Sequence, residues 1–65
     1  MITVVFDDEN ETREMPQANT VLQLLNRLGK RHTEVLVIRD KELLTPDVAL
    51  KHGDVITLRS VGSRG

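Results

Sequence analysis

The absence of cysteine constrains this chain more than any other feature, because the chain has only 65 residues. A domain of this size buries only about 60% of the surface that its unfolded chain exposes, and small domains often depend on disulfides or a metal. Here neither disulfides nor zinc thiolates can form. The chain contains 20 valine, leucine and isoleucine residues but a single aromatic residue, Phe6. We therefore expect one small domain with an aliphatic core.

The charge balance argues against nucleic-acid binding. Nine Lys and Arg residues face ten Asp and Glu residues, a formal net charge of -1, whereas nucleic-acid binders usually present a basic surface to the phosphates. No stretch approaches the roughly 20 apolar residues of a membrane span, and the first residues lack the basic region of a signal peptide. We predict a soluble, cytoplasmic protein that binds neither nucleic acid nor membranes.

Alternating apolar and polar residues predict an amino-terminal hairpin. Ile2, Val4 and Phe6 alternate with Thr3, Val5 and Asp7, which is the period of a strand with one buried face. The polar residues 7–10 are typical of a turn, and residues 11–15 can return as a second strand.

A helix is predicted over residues 21–28. Its apolar residues at positions 21, 24, 25 and 28 form one stripe. Asn19 and Thr20 supply oxygens that can cap its first turn, and Gly29 is typical of a helix end. The basic residues 30–32 suit the negative end of the helix dipole.

Three further strands follow in the sequence. Residues 34–39 contain an unbroken apolar run at 35–38, as in a central strand, and residues 42–44 can form a short edge strand. Residues 45–50 are compatible with a loop or a single helical turn. Residues 55–61 alternate again as a final strand, and residues 62–65 are predicted to be a flexible tail.

This order of elements predicts the α+β fold class, with a single domain over residues 1–61. Strand, strand, helix, strand, short strand and strand is the order of a ubiquitin-like β-grasp, a mixed sheet of four to five strands with one main helix packed on one face. If the first and last strands are adjacent at the centre of the sheet, the helix stripe covers five apolar residues: Ile2, Val4, Val37, Ile56 and Leu58.

Two segments add a family resemblance to this order. Residues 19–28 read NTVLQLLNRL, and a later pattern runs from Thr45-Pro46 through Leu50 to the HGDVI sequence of residues 52–56. Together they resemble the ThiS/MoaD family of ubiquitin-like sulfur carriers, and within it most of all the ThiS branch. The resemblance covers essentially the whole chain.

The resemblance implies a carrier rather than an enzyme. In that family the last strand leads into a tail whose terminal glycine carboxylate is the reactive group, which here implies Gly65, carried by Gly62, Ser63 and Arg64. A ubiquitin-activating-type enzyme would use ATP and Mg to adenylate this carboxylate. A sulfur donor would convert it to a thiocarboxylate for an acceptor synthase, in thiamin, molybdopterin or related sulfur transfer. The carrier itself is expected to be a monomer without a bound cofactor.

The family's docking surface is the exposed sheet face near the tail. If the predicted core residues point inward, Val5, Thr57, Arg59 and Val61 alternate outward, and Arg39 is expected to join them. The other charged residues have simpler explanations. Residues 7–11 suit a solvated turn, and the two histidines, without cysteine or a spaced carboxylate pair, predict no metal site.

Arg64 departs from the family pattern, because it occupies the penultimate glycine position and the chain has no Gly-Gly pair. An arginine there could clash in a channel built for glycine, or contact ATP phosphates or an acidic wall of the partner. Two alternatives therefore stay open. One is a β-grasp interaction module with an inert tail, and the other is a ubiquitin-like modifier joined to lysines through Gly65.

Overall fold

The computed structural model describes residues 1–61. Within them, the elements are β1 (Ile2–Phe6), β2 (Glu11–Met15), α1 (Val21–Leu28), β3 (Val35–Arg39), β4 (Glu42–Leu44) and β5 (Val55–Ser60). The strands form one sheet in the order β2-β1-β5-β3-β4. β1 and β5 are parallel, and the other neighbouring strands are antiparallel. The predicted α+β β-grasp, with its mixed sheet and one main helix, is confirmed.

The core lies between α1 and one face of the sheet. Val21, Leu24 and Leu25 are fully buried on the helix, and they lie in one cluster with alternate residues of β1, β3 and β5. The strand residues of this cluster include Ile2, Val4, Phe6, Val35, Val37, Ile56 and Leu58. All five strand residues predicted to lie beneath the helix are therefore in the core.

Local hydrogen bonds fix both ends of α1 where the sequence predicts them. The Thr20 side-chain hydroxyl accepts the Gln23 N–H at 3.2 Å, and the Gln23 side chain accepts the Asn19 N–H at 2.7 Å, close to a capping box. At the other end, Gly29 adopts a left-handed conformation with φ 72°, which glycine takes without a steric penalty. The Lys30 N–H then reaches the Leu25 carbonyl.

Residues 45–54, between β4 and β5, contain no helical turn. Of the two predicted conformations, a loop or a single helical turn, the structure therefore has the loop. Its backbone instead lies against the start of α1. The Val48 and Pro46 carbonyls accept the N–H groups of Val21 and Leu22 at 3.0 and 2.9 Å. These are helix N–H groups that have no partner inside the helix, so the loop completes the helix cap.

Asp54 holds the turn that leads into β5. Its carboxylate accepts the Lys51 N–H at 2.8 Å and the Arg39 Nη1 at 2.9 Å, and both side chains of this ion pair are mostly buried. The Lys51 backbone hydrogen bond is the largest influence and lowers the pKa of Asp54; desolvation opposes it and Arg39 reinforces it.

This contact makes folding stability depend on pH. A carboxyl whose pKa is lowered in the folded state contributes stability above its unfolded pKa of about 3.9, and that stability is lost as the pH falls through the folded pKa. We expect Asp54→Asn to destabilise the protein at neutral pH and to flatten the decline in stability in acid. Urea unfolding between neutral and acidic pH measures both. Asp40→Asn, in an exposed turn, is the control, and an Asp54→Asn profile parallel to wild type would contradict the prediction.

Candidate functional site: the open face of the sheet and the end of strand β5

The sheet face opposite α1 carries a row of side chains that crosses four strands. Directly paired strand residues project to the same face. The register places Val5 beside Thr57, Thr57 beside Ile38, and Ile38 beside Leu43. Val5, Thr57 and Ile38 are half-buried and Leu43 is 61% exposed. We call Val5, Thr57, Ile38 and Leu43 the outer row.

The outer row gives this face an apolar centre with a polar margin. Three of its four side chains are aliphatic, and threonine also presents a methyl group. Arg59 lies on the same face, opposite Leu36, and its Nε donates to Asp7 Oδ2 at 2.9 Å in an exposed ion pair. An apolar centre with charged residues at its rim is the usual composition of a protein-docking surface.

The end of β5 is held on both of its sides. Toward β3, the Val61 N–H donates to the Glu34 carbonyl at 3.0 Å. Toward β1, the Ser60 N–H donates to Asp8 Oδ2 at 2.5 Å. The hydrogen bond from the Ser60 backbone is the largest cause that lowers the pKa of Asp8, and the nearby Ser60 side chain lowers it further. We call Arg59, Ser60 and Val61 the exit segment, because residues 62–65 follow it in the sequence.

Comparison with known protein families gives a match to the ThiS family over residues 3–58, most of the chain. The matched residues begin in β1 and end in β5, and they include β2, α1, β3 and β4 in full. The chain belongs to the ThiS family. A search among curated proteins finds no match.

Proteins of the ThiS family are small ubiquitin-like carriers of sulfur and are not enzymes, and they interact with adenylating and sulfur-transfer enzymes. Membership of this family supports a ubiquitin-like sulfur-carrier role for this chain in general terms. In the part of the chain that the structure describes, no helix is long and apolar enough to cross a membrane.

The structure brings most of the predicted surface residues of this ThiS-family chain together. Val5 and Thr57 are adjacent, and Arg59 follows two residues later on the same face. Val61 is 39% exposed and lies just beyond β5, which ends at Ser60, one residue earlier than predicted. Their role in docking stays a prediction.

Arg39 does not lie on this face, and its placement there was wrong. Ile38 is opposite Thr57 on the open face, and because strand side chains alternate, Arg39 projects to the helix side with Val37. There its guanidinium donates to Asp54 and to the Ala49 carbonyl. It stabilises a turn and is not presented to a partner beside Thr57.

Sequence reasoning missed Ile38, Leu36 and Leu43 on the open face. It also missed the contacts of Asp7 and Asp8, which it assigned to a solvated turn. Alternation counted outward from Val37 would have placed Leu36 and Ile38, whereas no local signal indicates a contact between residues 52 positions apart.

The predicted reactive terminus lies outside the described residues. Gly62, Ser63, Arg64 and Gly65 follow Val61, so the flexible tail and the division into residues 1–61 and 62–65 stay predictions. Within residues 1–61, no group of three or more His, Asp or Glu side chains is placed to hold a metal ion.

Proposed function

We propose that this protein is a sulfur carrier whose Gly65 carboxylate is adenylated by a partner enzyme and then converted to a thiocarboxylate. The observation that carries the proposal is the ThiS family match over residues 3–58. The position of β5 supports it: the strand lies at the centre of the sheet, and the chain continues from it for five residues to Gly65. The thiocarboxylate would serve thiamin, molybdopterin or related sulfur transfer.

The chemistry explains why a carrier needs a partner enzyme. A terminal carboxylate, with an ordinary pKa of about 3.3 to 3.7, is ionised at neutral pH and is a poor electrophile. In the adenylating step a Gly65 carboxylate oxygen bonds to the α-phosphorus of ATP and pyrophosphate leaves. Sulfide from the sulfur donor then attacks the acyl carbon, and AMP leaves with the electron pair of the broken C–O bond, which gives the thiocarboxylate. ATP and Mg belong to the partner.

The docking surface of the proposed carrier is the outer row, together with Arg59 and Val61. β5, the strand that leads to Gly65, crosses this contact area and contributes Thr57 to it. A partner that covers this face therefore also holds the start of the tail. The sulfur donor and the acceptor synthase are the further partners of the cycle.

Arg64 favours a second candidate, a β-grasp interaction module with an inert tail. Glycine without a Cβ suits a narrow channel, and a guanidinium at the penultimate position is more easily explained if no channel receives it. In that case the open sheet face would bind a partner without any change at Gly65. A ubiquitin-like modifier would instead form an amide between Gly65 and a lysine of another protein.

Intact-mass spectrometry separates these candidates. The full chain is incubated with its adenylating enzyme, Mg-ATP and a sulfur donor. A carrier gains the mass difference between sulfur and oxygen, a modifier gains the mass of a second protein, and an inert module stays unchanged. The control is the chain without Gly65, which is expected to stay unmodified. An unmodified wild type, or a modified control, would overturn the proposed role of Gly65.

A further inference from the structure

The parallel ladder between β1 and β5 ends before β5 does. The Thr3 N–H donates to the Asp54 carbonyl at 3.0 Å, and four residues later the Asp7 N–H donates to the Leu58 carbonyl at 2.9 Å. β1 ends at Phe6, whereas β5 continues to Ser60. The Ser60 N–H thus faces a position from which the backbone of β1 has already turned away.

The side chain of Asp8 occupies that position. Its Oδ2 accepts the Ser60 N–H at 2.5 Å, so a carboxylate takes the place of the backbone carbonyl that a longer β1 would supply. A hydrogen bond to a carboxylate is shorter and stronger than one between neutral groups. The lowered pKa of Asp8 agrees with a carboxylate that is ionised in this contact.

A second bond holds the same segment from the other side. The Val61 N–H donates to the Glu34 carbonyl, and the Arg59 side chain is tied to Asp7. Three consecutive residues of the exit segment are therefore each fixed to a different residue. Of these three contacts, only the one at Ser60 uses a side chain in place of a backbone partner in the β ladder.

We propose that Asp8 is a positioning residue, whose carboxylate extends the β1–β5 ladder by one position and fixes the direction in which the chain leaves the sheet. The consequence for the reaction rests on the proposed function. Reaction between two bound groups requires that they be held close to the reactive geometry. A loosened exit segment would leave docking intact, but it would lower the fraction of docked carriers whose Gly65 carboxylate is aligned with ATP.

The test combines adenylation kinetics with amide hydrogen exchange on the full 65-residue chain. Pyrophosphate release by the adenylating enzyme is measured over a range of carrier concentrations for wild type, Asp8→Ala and Asp8→Asn. The matched control is Glu9→Gln, which makes the same change of charge in the same turn without touching Ser60. All four proteins are compared at a temperature at which circular dichroism shows each to be folded.

Loss of one hydrogen bond to an ionised carboxylate predicts that Asp8→Ala lowers kcat and accelerates exchange of the Ser60 amide, each by about tenfold, with KM within about twofold of wild type. The kcat and the Ser60 exchange rate of Asp8→Asn should lie between those of wild type and Asp8→Ala, because the asparagine oxygen still accepts a hydrogen bond but is neutral. Glu9→Gln should match wild type. A purely structural role would not move kcat alone in proteins that are equally folded.

Three results would overturn the positioning role. Unchanged Ser60 exchange in Asp8→Ala would show that the contact does not hold the exit segment. Faster exchange with unchanged kcat would show that the direction of exit does not matter, and a rise in KM alone would make Asp8 a docking residue. In each of these cases wild type is still adenylated, so the proposed function stands although the positioning role fails. If wild type itself is not adenylated, the proposed function fails, and the kinetic consequence of Asp8 fails with it.

Discussion

Leu24→Ala is expected to remove most of the stability of this domain. Leu24 is fully buried at the centre of α1, and truncating a buried leucine to alanine costs roughly 2–5 kcal/mol. A core of this size rarely supplies more than about 3–5 kcal/mol, and the chain has no disulfide to compensate. The stability lost in Leu24→Ala is therefore comparable with the total free energy of unfolding of the domain. Urea unfolding followed by circular dichroism measures it.

Leu22 provides a matched control on the same helix. It is 44% exposed, so Leu22→Ala makes the same chemical change, with the same gain in helix propensity, outside the core. Surface substitutions of this kind usually stay within about 0.5 kcal/mol. If Leu22→Ala and Leu24→Ala were equally unstable, burial of the helix stripe would not be what holds the helix to the sheet.

The elements that the sequence predicted well are those defined by local interactions. The ends of α1 depend on Thr20 and Gly29, which act within one turn of the helix. β1 alternates between buried and half-buried residues, and its three buried positions are all apolar. Such signals lie within a few residues of the element that they define, and they are readable without knowledge of the rest of the fold.

The open face was harder to predict because β3 lacks that alternation. Residues 35–38 are all apolar, since one set packs under α1 and the other belongs to the open face or lies near it. The pattern indicated a buried strand, and Val37 was correctly predicted to face the helix, but alternation was not extended from Val37 to its neighbours. Arg39, two residues after Val37, was therefore assigned to the wrong face, and its ion pair with Asp54 depends on the tertiary structure.

The contacts of the exit segment depend entirely on tertiary structure. Asp7 and Asp8 occupy a polar turn whose composition indicates solvation, and they are 52 residues away from Arg59 and Ser60 in sequence. The parallel pairing of β1 with β5 brings the two ends together. A site formed by chain topology therefore has no signature in any one segment. The prediction that Gly65 is the reactive end comes from the family resemblance alone.

Thr57→Glu is expected to abolish efficient adenylation while leaving the fold intact. Thr57 lies at the centre of the outer row, between Val5 and Ile38, and it is half-buried in the free protein. If the partner covers this row, the new carboxylate is desolvated among apolar side chains. A charge left unpaired in an interface costs roughly 2–5 kcal/mol, which predicts a loss of at least about 30-fold in kcat/KM.

Leu22→Glu is the control for this change, because it adds the same charge to an exposed apolar site on the helix, on the opposite side of the sheet. We expect its kcat/KM to stay within about threefold of wild type, as for a substitution outside the contact area. The loss in Thr57→Glu should appear in KM, whereas that of Asp8→Ala should appear in kcat. Full activity of Thr57→Glu would place the docking surface elsewhere, and equal losses in both glutamate variants would indicate a general effect of charge. The two halves of the proposed site, docking at the outer row and alignment at the exit segment, are thus separable in one set of kinetic measurements.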